Sequence, residues 1–147
     1  MCSNSRSTCI LKANDNLITA NAQNADTEHS KSNNHKLGKV GEKAAAKFLQ
    51  KKGYQFLAQN FRHKRGEVDI ICKDGDYIVF VEVKTRTGLS HGHPKEAVTT
   101  TKQKRVTDTA LYYLSHHGIT DANIRFDVVE ILVQDGQVYA SHIENAF

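Results

Sequence analysis

The chain has 147 residues, of which 39% are hydrophobic and 24% are charged, and its formal net charge at pH 7 is +4. This length suits one domain with a core of its own. No apolar run approaches the roughly 20 residues of a membrane span, and the N-terminus lacks the apolar stretch of a signal peptide. Three cysteines without a Cys-x-x-Cys pair argue against a disulfide framework and a zinc site. We therefore expect a cytoplasmic protein without membrane association.

The first quarter of the chain differs in composition from the rest. Residues 1–36 are rich in Ser, Asn, Asp and Thr, with only scattered aliphatic side chains. Such a segment cannot bury enough apolar surface to offset the entropy lost on ordering. We predict a disordered polar N-terminal tail over residues 1–36 and a single folded domain over residues 37–147.

The elements of the domain follow from its apolar periodicity. Helical spacing predicts a first helix from about Leu37 that ends before Gly53, and residues 54–61 predict a first strand. The segment 66–86 holds two apolar runs around Asp74-Gly75-Asp76, a pattern typical of a β-hairpin. A long helix over about 95–116 and a last pair of strands, 125–133 and 138–143, complete the order α-β-β-β-α-β-β. This order indicates an α/β architecture in which helices flank a central mixed β-sheet.

Three polar side chains interrupt the apolar hairpin. Because side chains of a strand alternate between faces, Glu82 and Lys84 point the same way. A two-residue turn places Asp69 on that face as well, in either of two registers, whereas a three-residue turn without a bulge does not. Two carboxylates and a lysine on one face of an apolar hairpin are costly unless a ligand or a reaction uses them.

A divalent cation is the ligand that these side chains favour. Mg²⁺ or Mn²⁺ prefers oxygen ligands, and it assists phosphodiester hydrolysis by neutralising the phosphate and polarising water. We expect Asp69, Glu82 and the carbonyl of Val83 to bind it, and Lys84 to orient or deprotonate the water or to hold the phosphate. Glu42 is a further candidate ligand. The alternative is that Glu42 is an acid at the start of the helix, where it interacts favourably with the helix dipole. For the hairpin charges, the alternative is a solvated cross-strand ion pair.

Positive charge is concentrated on both sides of the hairpin and at the start of the long helix. Clustered cations beside an acidic pocket suit a polyanion, and a solvated surface is the alternative. Lys102 lies near the apolar stripe of the long helix, so it is either a site residue or a lysine whose stem covers apolar surface. The candidate nucleic-acid contacts are Arg62, Lys64, Arg65, Arg86, Lys102, Gln103, Lys104 and Arg105.

The acids and the lysine of the hairpin also carry a resemblance to known proteins. Asp69, Glu82 and Lys84 match the acid–spacer–Glu-x-Lys signature of the PD-(D/E)XK nucleases, although Val68 stands where the signature has proline. Within that group the chain resembles the YraN-like family, bacterial proteins similar to Holliday-junction resolvases. The matching segments are LGKVGEKAAAKFL (37–49), QNFR (59–62), GEVDII (66–71), VFVEVKTR (79–86), KQKRV (102–106), TALYYL (109–114) and RFDVV (125–129). The resemblance implies a restriction-endonuclease-like fold and nucleic-acid binding.

Residues and resemblance together predict a Mg²⁺-dependent DNA endonuclease of resolvase-like type. The alternative is a nucleic-acid-binding protein that retains the nuclease fold but does not cut, or that cuts only with a partner. The sequence leaves open whether the isolated chain is an enzyme and whether its DNA is branched. It also leaves open a homodimer and a protein partner in DNA metabolism.

Overall fold

The computed structural model describes residues 6–11, 30–64, 66–88 and 98–147. These residues form two helices and six strands in one sheet. No helix among them is long and apolar enough to cross a membrane. In chain order the elements are β1 (Arg6–Leu11), α1 (Ser30–Lys51), β2 (Gln55–His63), β3 (Gly66–Asp74), β4 (Tyr77–Thr87), α2 (Thr100–His116), β5 (Asn123–Gln134) and β6 (Gln137–Ile143).

The sheet is mixed, with the strand order β1-β6-β5-β4-β3-β2. Strands β4 and β5 are parallel, and every other neighbouring pair is antiparallel. Parallel neighbours need a long crossover connection, and α2 lies in the chain between β4 and β5. From α1 onward the predicted order α-β-β-β-α-β-β and the restriction-endonuclease-like α/β architecture are confirmed.

Two parts of the predicted tail have regular structure. Strand β1 pairs with β6 along the edge of the sheet, and α1 begins at Ser30 and not near Leu37. Composition averaged over a long window does not reveal a strand of six residues. Such a short strand needs only the unpaired edge of a sheet with which to form hydrogen bonds. A helix nucleated by the apolar turns after Leu37 can extend backwards through polar residues, because each added residue gains a hydrogen bond. The remaining residues of the predicted tail lie outside the described part of the chain.

Apolar side chains cover both faces of the sheet. Phe48 and Leu49 of α1 pack against one face, and Val106 and Tyr113 of α2 pack against the other. The central strands β3 and β4 are therefore buried on both sides, which explains their nearly continuous apolar sequence. The sheet is a rigid support for any polar side chain at the ends of these strands.

The turn between β3 and β4 sets the register of the hairpin. Asp74 pairs with Tyr77, so the loop contains the two residues Gly75 and Asp76, and Gly75 has a φ of +57°. A glycine with positive φ at the first loop position is typical of tight hairpin turns. The last pair is Ile70 with Val81, and in this register Asp69 and Glu82 are the residues that follow it on the two strands. This is one of the two predicted registers.

Helix α1 lies close to β4 at Gly41. A methyl group built on Gly41 would overlap the side chain of Thr85 in β4. The missing side chain therefore allows the helix backbone to approach the strand, just beyond the charged residues of the hairpin.

Replacing Gly41 by Ala should lower the free energy of unfolding by about 1 kcal/mol or more, because overlap with Thr85 outweighs the better helix propensity of Ala. The matched control is Gly38→Ala on the same helix, where a methyl group meets no atom within 4 Å. The control should raise the free energy of unfolding by about 0.5 to 1 kcal/mol. Urea denaturation of both variants measures the difference. Stabilisation of equal size in both would show that α1 does not contact β4 at Gly41.

Candidate active site

A cavity of about 430 Å³ lies between α1 and the ends of β3 and β4. The register of the hairpin brings an acid from each strand to this place, and α1 contributes a third acid. The cavity therefore collects the acidic residues that the sequence singled out. Its lining residues are Leu37, Gly38, Glu42, Asp69, Glu82, Val83 and Thr85.

Glu82 is the most buried charged residue of the cavity, with 4% of its surface exposed. Its Oε1 atom lies 3.3 Å from Nζ of Lys84 and 3.1 Å from Nζ of Lys102. Its Oε2 atom is buried and has no hydrogen-bond partner within the described ranges. A buried carboxylate oxygen without a partner loses its hydration without compensation. A ligand that binds this atom would therefore gain the most binding free energy.

Asp69 contacts the backbone of the neighbouring strand. Its Oδ2 atom accepts a hydrogen bond of 2.7 Å from the Val83 N–H, which fixes the carboxylate beside the end of the hairpin ladder. Burial and the negative charge of Glu82 raise the pKa of Asp69 to about 7, against the opposing effects of the Val83 bond and Lys102. A positive ligand between the two carboxylates would favour the charged form of Asp69.

Glu42 lines the same cavity from the opposite wall. Its Oε2 atom accepts a hydrogen bond of 3.1 Å from Nδ2 of Asn60. Helix α1 begins at Ser30 and has no acid in its first turn, so the interpretation of Glu42 as an acid at the helix start is wrong. The helix extends through polar residues that the apolar pattern could not mark, and this leaves Glu42 in the helix interior.

The side-chain donors do not form a complete metal cage. No three Asp, Glu, His or Cys side chains within the described ranges are grouped as a metal site would require. The oxygen donors that the cavity offers are the carboxylates of Asp69 and Glu82, the backbone of Val83 and, on the α1 wall, Glu42. Mg²⁺ commonly binds to one or two carboxylates and keeps several waters, so the predicted ligand set is chemically sufficient. It stays a prediction.

Lys102 reaches Glu82 from α2, which packs on the other face of the sheet from α1. The first turn of α2 is capped by Thr99, whose side chain accepts a hydrogen bond of 3.3 Å from the Lys102 N–H. Gln103 donates from Nε2 to the Val98 carbonyl at 3.1 Å, so its amide supports the same helix start. Of the two open interpretations of Lys102, the structure shows a half-buried lysine whose ammonium group contacts Glu82. Apolar spacing alone could not show which acid it meets.

None of the other predicted phosphate contacts that the structure describes lines this cavity. Arg62 is exposed and forms an ion pair of 3.0 Å with Glu67, which raises the pKa of Arg62. Arg86 is half-buried at the end of β4. Arg65 lies outside the described residues. The remaining basic candidates, all exposed, are Lys64, Lys104 and Arg105.

Asn60 is a residue that the sequence reasoning missed. It has a φ of +51° and lies between the pairs Gln59–Ile70 and Phe61–Val68, hence opposite Asp69. Asn tolerates positive φ better than most residues, and the irregularity lets its amide reach Glu42. An Asn within a strand pattern is a weak signal for a positive φ, so only the structure reveals this role.

The fold and this cluster define a restriction-endonuclease-like α/β protein with an acidic cavity in which Glu82 contacts two lysines. The chain belongs to the uncharacterised protein family UPF0102, the YraN family, whose family model matches residues 41–131. The UPF0102 protein of Caldicellulosiruptor saccharolyticus is 47% identical over 117 residues, which cover 78% of this chain and 99% of the relative. The UPF0102 protein of Symbiobacterium thermophilum is 47% identical over 113 residues, covering 76% and 96%. That of Clostridium acetobutylicum is 47% identical over 116 residues, covering 78% and 95%.

Replacing Asp69 by Asn should stabilise the metal-free protein more at pH 8 than at pH 5. The pKa of Asp69 is about 7 in the folded state and about 3.9 when unfolded, so between these values the folded state binds a proton that the unfolded state lacks. Stability from this group is therefore present at low pH and lost as the pH rises to 7. Asn carries no charge and can still accept the Val83 hydrogen bond. We expect a gain on the order of 1 to 3 kcal/mol at pH 8.

Urea denaturation in EDTA at both pH values measures this gain. Asp76→Asn is the matched control, because Asp76 lies in the exposed turn of the same hairpin. The same difference from the natural chain at pH 5 and pH 8 for Asp69→Asn would contradict the assigned effect of burial and Glu82.

Proposed function

We propose that this protein is a Mg²⁺-dependent DNA endonuclease of resolvase-like type that hydrolyses phosphodiester bonds. The observation that carries the proposal is the environment of Glu82. One oxygen of this buried carboxylate is shared by two lysines, and the other has no partner in the described structure, in the cavity that Asp69 also lines. A purely structural ion pair would not leave such an atom beside a second carboxylate whose pKa is raised.

The donors of the cavity fit a hard divalent cation. Asp69 and Glu82 would hold Mg²⁺ or Mn²⁺ with the carbonyl of Val83, and Glu42 is within the same cavity. When bound there, the cation would supply charge neutralisation at the phosphate and a more acidic water. The unpartnered Oε2 atom of Glu82 would gain a ligand, which removes the cost of its burial.

The lysines have two tasks in this proposal. The charged forms of Asp69, Glu82, Lys84 and Lys102 sum to zero, so a bound divalent cation makes the cluster positive and complementary to a phosphodiester. Lys84 holds the phosphate or orients the attacking water from the same strand as Glu82. Lys102 positions the Glu82 carboxylate from α2, since it contacts the same oxygen.

The surface cations would bind the rest of the DNA. Arg62, Lys64 and Arg65 come from the end of β2 and the connection to β3, and Arg86 lies at the end of β4. Lys104 and Arg105 are exposed on the second turn of α2, the helix that carries Lys102. Phosphate contacts of this kind position a duplex without reading its sequence.

The second candidate function is a nucleic-acid-binding protein that does not cut by itself. Both lysines already contact Glu82, and the described residues contain no group of three metal-binding side chains. A site in this state would need a branched DNA or a protein partner to release a lysine and to complete the donor set. Binding without cleavage is the result that distinguishes this candidate.

Cleavage assays with Mg²⁺ or Mn²⁺ on four-way junction, flap and linear duplex DNA test the proposal. We expect the natural chain to cut at least one substrate, and Asp69→Ala and Glu82→Ala to lose on the order of 10³-fold in rate. Asp76→Ala, in the turn of the same hairpin, is the control and should retain activity. Metal-dependent cleavage that survives in Asp69→Ala or Glu82→Ala would show that the site is assigned wrongly.

Replacing Lys84 by Ala should separate catalysis from binding. We expect cleavage to fall as in the acid variants, because Lys84 acts at the reacting phosphate, while DNA affinity falls only modestly. Replacing Arg105 by Ala should do the reverse and reduce the slope of log affinity against log salt by about one. Fluorescence anisotropy at several salt concentrations, beside a cleavage assay at saturating protein, measures both. A loss of affinity in Lys84→Ala as large as its loss of cleavage would contradict this division.

A further inference from the structure

A second, larger cavity adjoins the acidic one. It has a volume of about 790 Å³ and lies between the N-terminal half of α1 and the strands β2 and β3. Gly38, Glu42 and Asp69 line both cavities, so the two form one continuous groove. Its other lining residues are His35, Lys39, Lys43, Gln59, Asn60, Arg62 and Glu67.

One wall of the groove carries a row of basic side chains. His35, Lys39 and Lys43 are spaced four residues apart on α1, so they lie on one face of the helix in successive turns. All three are exposed. Neither lysine has an ion pair within the described part of the chain. This row was not among the predicted phosphate contacts.

Each acid that lines the groove has a partner, and Asp69 accepts its hydrogen bond of 2.7 Å from the Val83 N–H. Glu67 forms an ion pair of 3.0 Å with Arg62, and Glu42 accepts a hydrogen bond of 3.1 Å from Asn60. Lys39 and Lys43 are the lysines of this groove that remain for a ligand, because neither is paired with an acid in the described part of the chain. A ligand that complements them is an anion with repeated charges, spaced so as to meet successive turns of a helix.

Gly38 lies where the two cavities meet. A methyl group built on Gly38 would meet no atom within 4 Å, so the space beside the helix is open at this point. Glycine in a helix interior lowers stability by about 1 kcal/mol relative to alanine. Here its missing side chain leaves a passage from the row of lysines to Asp69.

We propose that this groove binds the phosphodiester backbone of the single DNA strand that continues from the cleaved phosphate. The inference rests on the proposed function, because it takes the acidic cavity as the site of the phosphate. The volume of 790 Å³ is that of a ligand pocket and does not hold a duplex. One unpaired strand fits, with its phosphates beside Lys39 and Lys43. The substrate class is therefore DNA with a single-stranded segment next to the cut, such as a flap.

Binding of a labelled 15-nucleotide oligodeoxythymidine and of a blunt 15-base-pair duplex in EDTA tests the groove without cleavage. For the single strand, Lys39→Gln with Lys43→Gln should reduce the slope of log affinity against log salt by about 1.4, or about 0.7 for each phosphate that a lysine no longer neutralises. The blunt duplex should show less than half of that change. Lys73→Gln is the matched control, because Lys73 is an exposed lysine near the turn of β3 and lines neither cavity. It should leave both slopes unchanged.

A steric variant adds an independent readout. Gly38→Leu changes no charge and favours the helix, so the fold should persist while the passage closes. We expect at least fivefold weaker binding of the single strand with an unchanged salt slope. Affinity equal to that of the natural chain would overturn the proposed path.

The outcomes separate this inference from the proposed function. An unchanged single-strand slope in the double lysine variant, an equal loss in Lys73→Gln, or equal losses for duplex and single strand would overturn the groove. So would a natural chain that does not bind the oligonucleotide. A natural chain that shows the expected slopes in EDTA but cuts nothing with Mg²⁺ refutes the endonuclease and leaves the groove as a binding site. Cleavage of flaps at an undiminished rate by the double variant refutes the groove alone.

Discussion

The burial of the Glu82 charge is the constraint that links the fold of this protein to its site. A carboxylate with 4% of its surface exposed must be compensated by nearby positive charge. Lys84 supplies one ammonium group from the same strand, and Lys102 supplies the other from α2. The position of α2 on the sheet is therefore coupled to the charge balance of the acidic cavity. Gly41 allows α1 to close that cavity from the other side.

A second buried carboxylate shows how differently this chain treats a structural charge. Asp127 is completely buried, and Arg125 contacts both of its oxygens at about 3.0 Å. His142 lies 2.8 Å from Oδ2, and the Asn145 N–H donates to Oδ1 at 3.1 Å. Every oxygen of Asp127 is thus hydrogen-bonded, as expected of a buried charge that serves the fold. Glu82 departs from that rule at Oε2 and also lines a cavity together with Asp69, and this combination favours a ligand-binding role over a structural one.

The sequence was sufficient to predict features that neighbouring residues determine. It was insufficient to predict contacts between elements that are distant in the chain. The turn at Gly75-Asp76 limits the hairpin to registers that bring Asp69 and Glu82 together, so both acids could be named in advance. The contact of Lys102 with Glu82 depends on how α2 docks, which apolar spacing alone leaves open between two interpretations. The start of α1 at Ser30 depends on helix propagation through polar residues. The role of Asn60 depends on its positive φ within β2, for which the sequence has no clear signal.

The most direct test of the account is the binding of Mn²⁺ to the protein without DNA, measured by electron paramagnetic resonance. We expect a bound ion in the natural chain and an affinity lower by more than about 10-fold in Glu82→Gln, which keeps the shape of the side chain and removes its charge. Glu67→Gln is the control on the neighbouring strand, since Glu67 does not line the acidic cavity, and it should bind Mn²⁺ as the natural chain does. Equal Mn²⁺ affinity in Glu82→Gln and the natural chain, or no binding in either, would contradict the account.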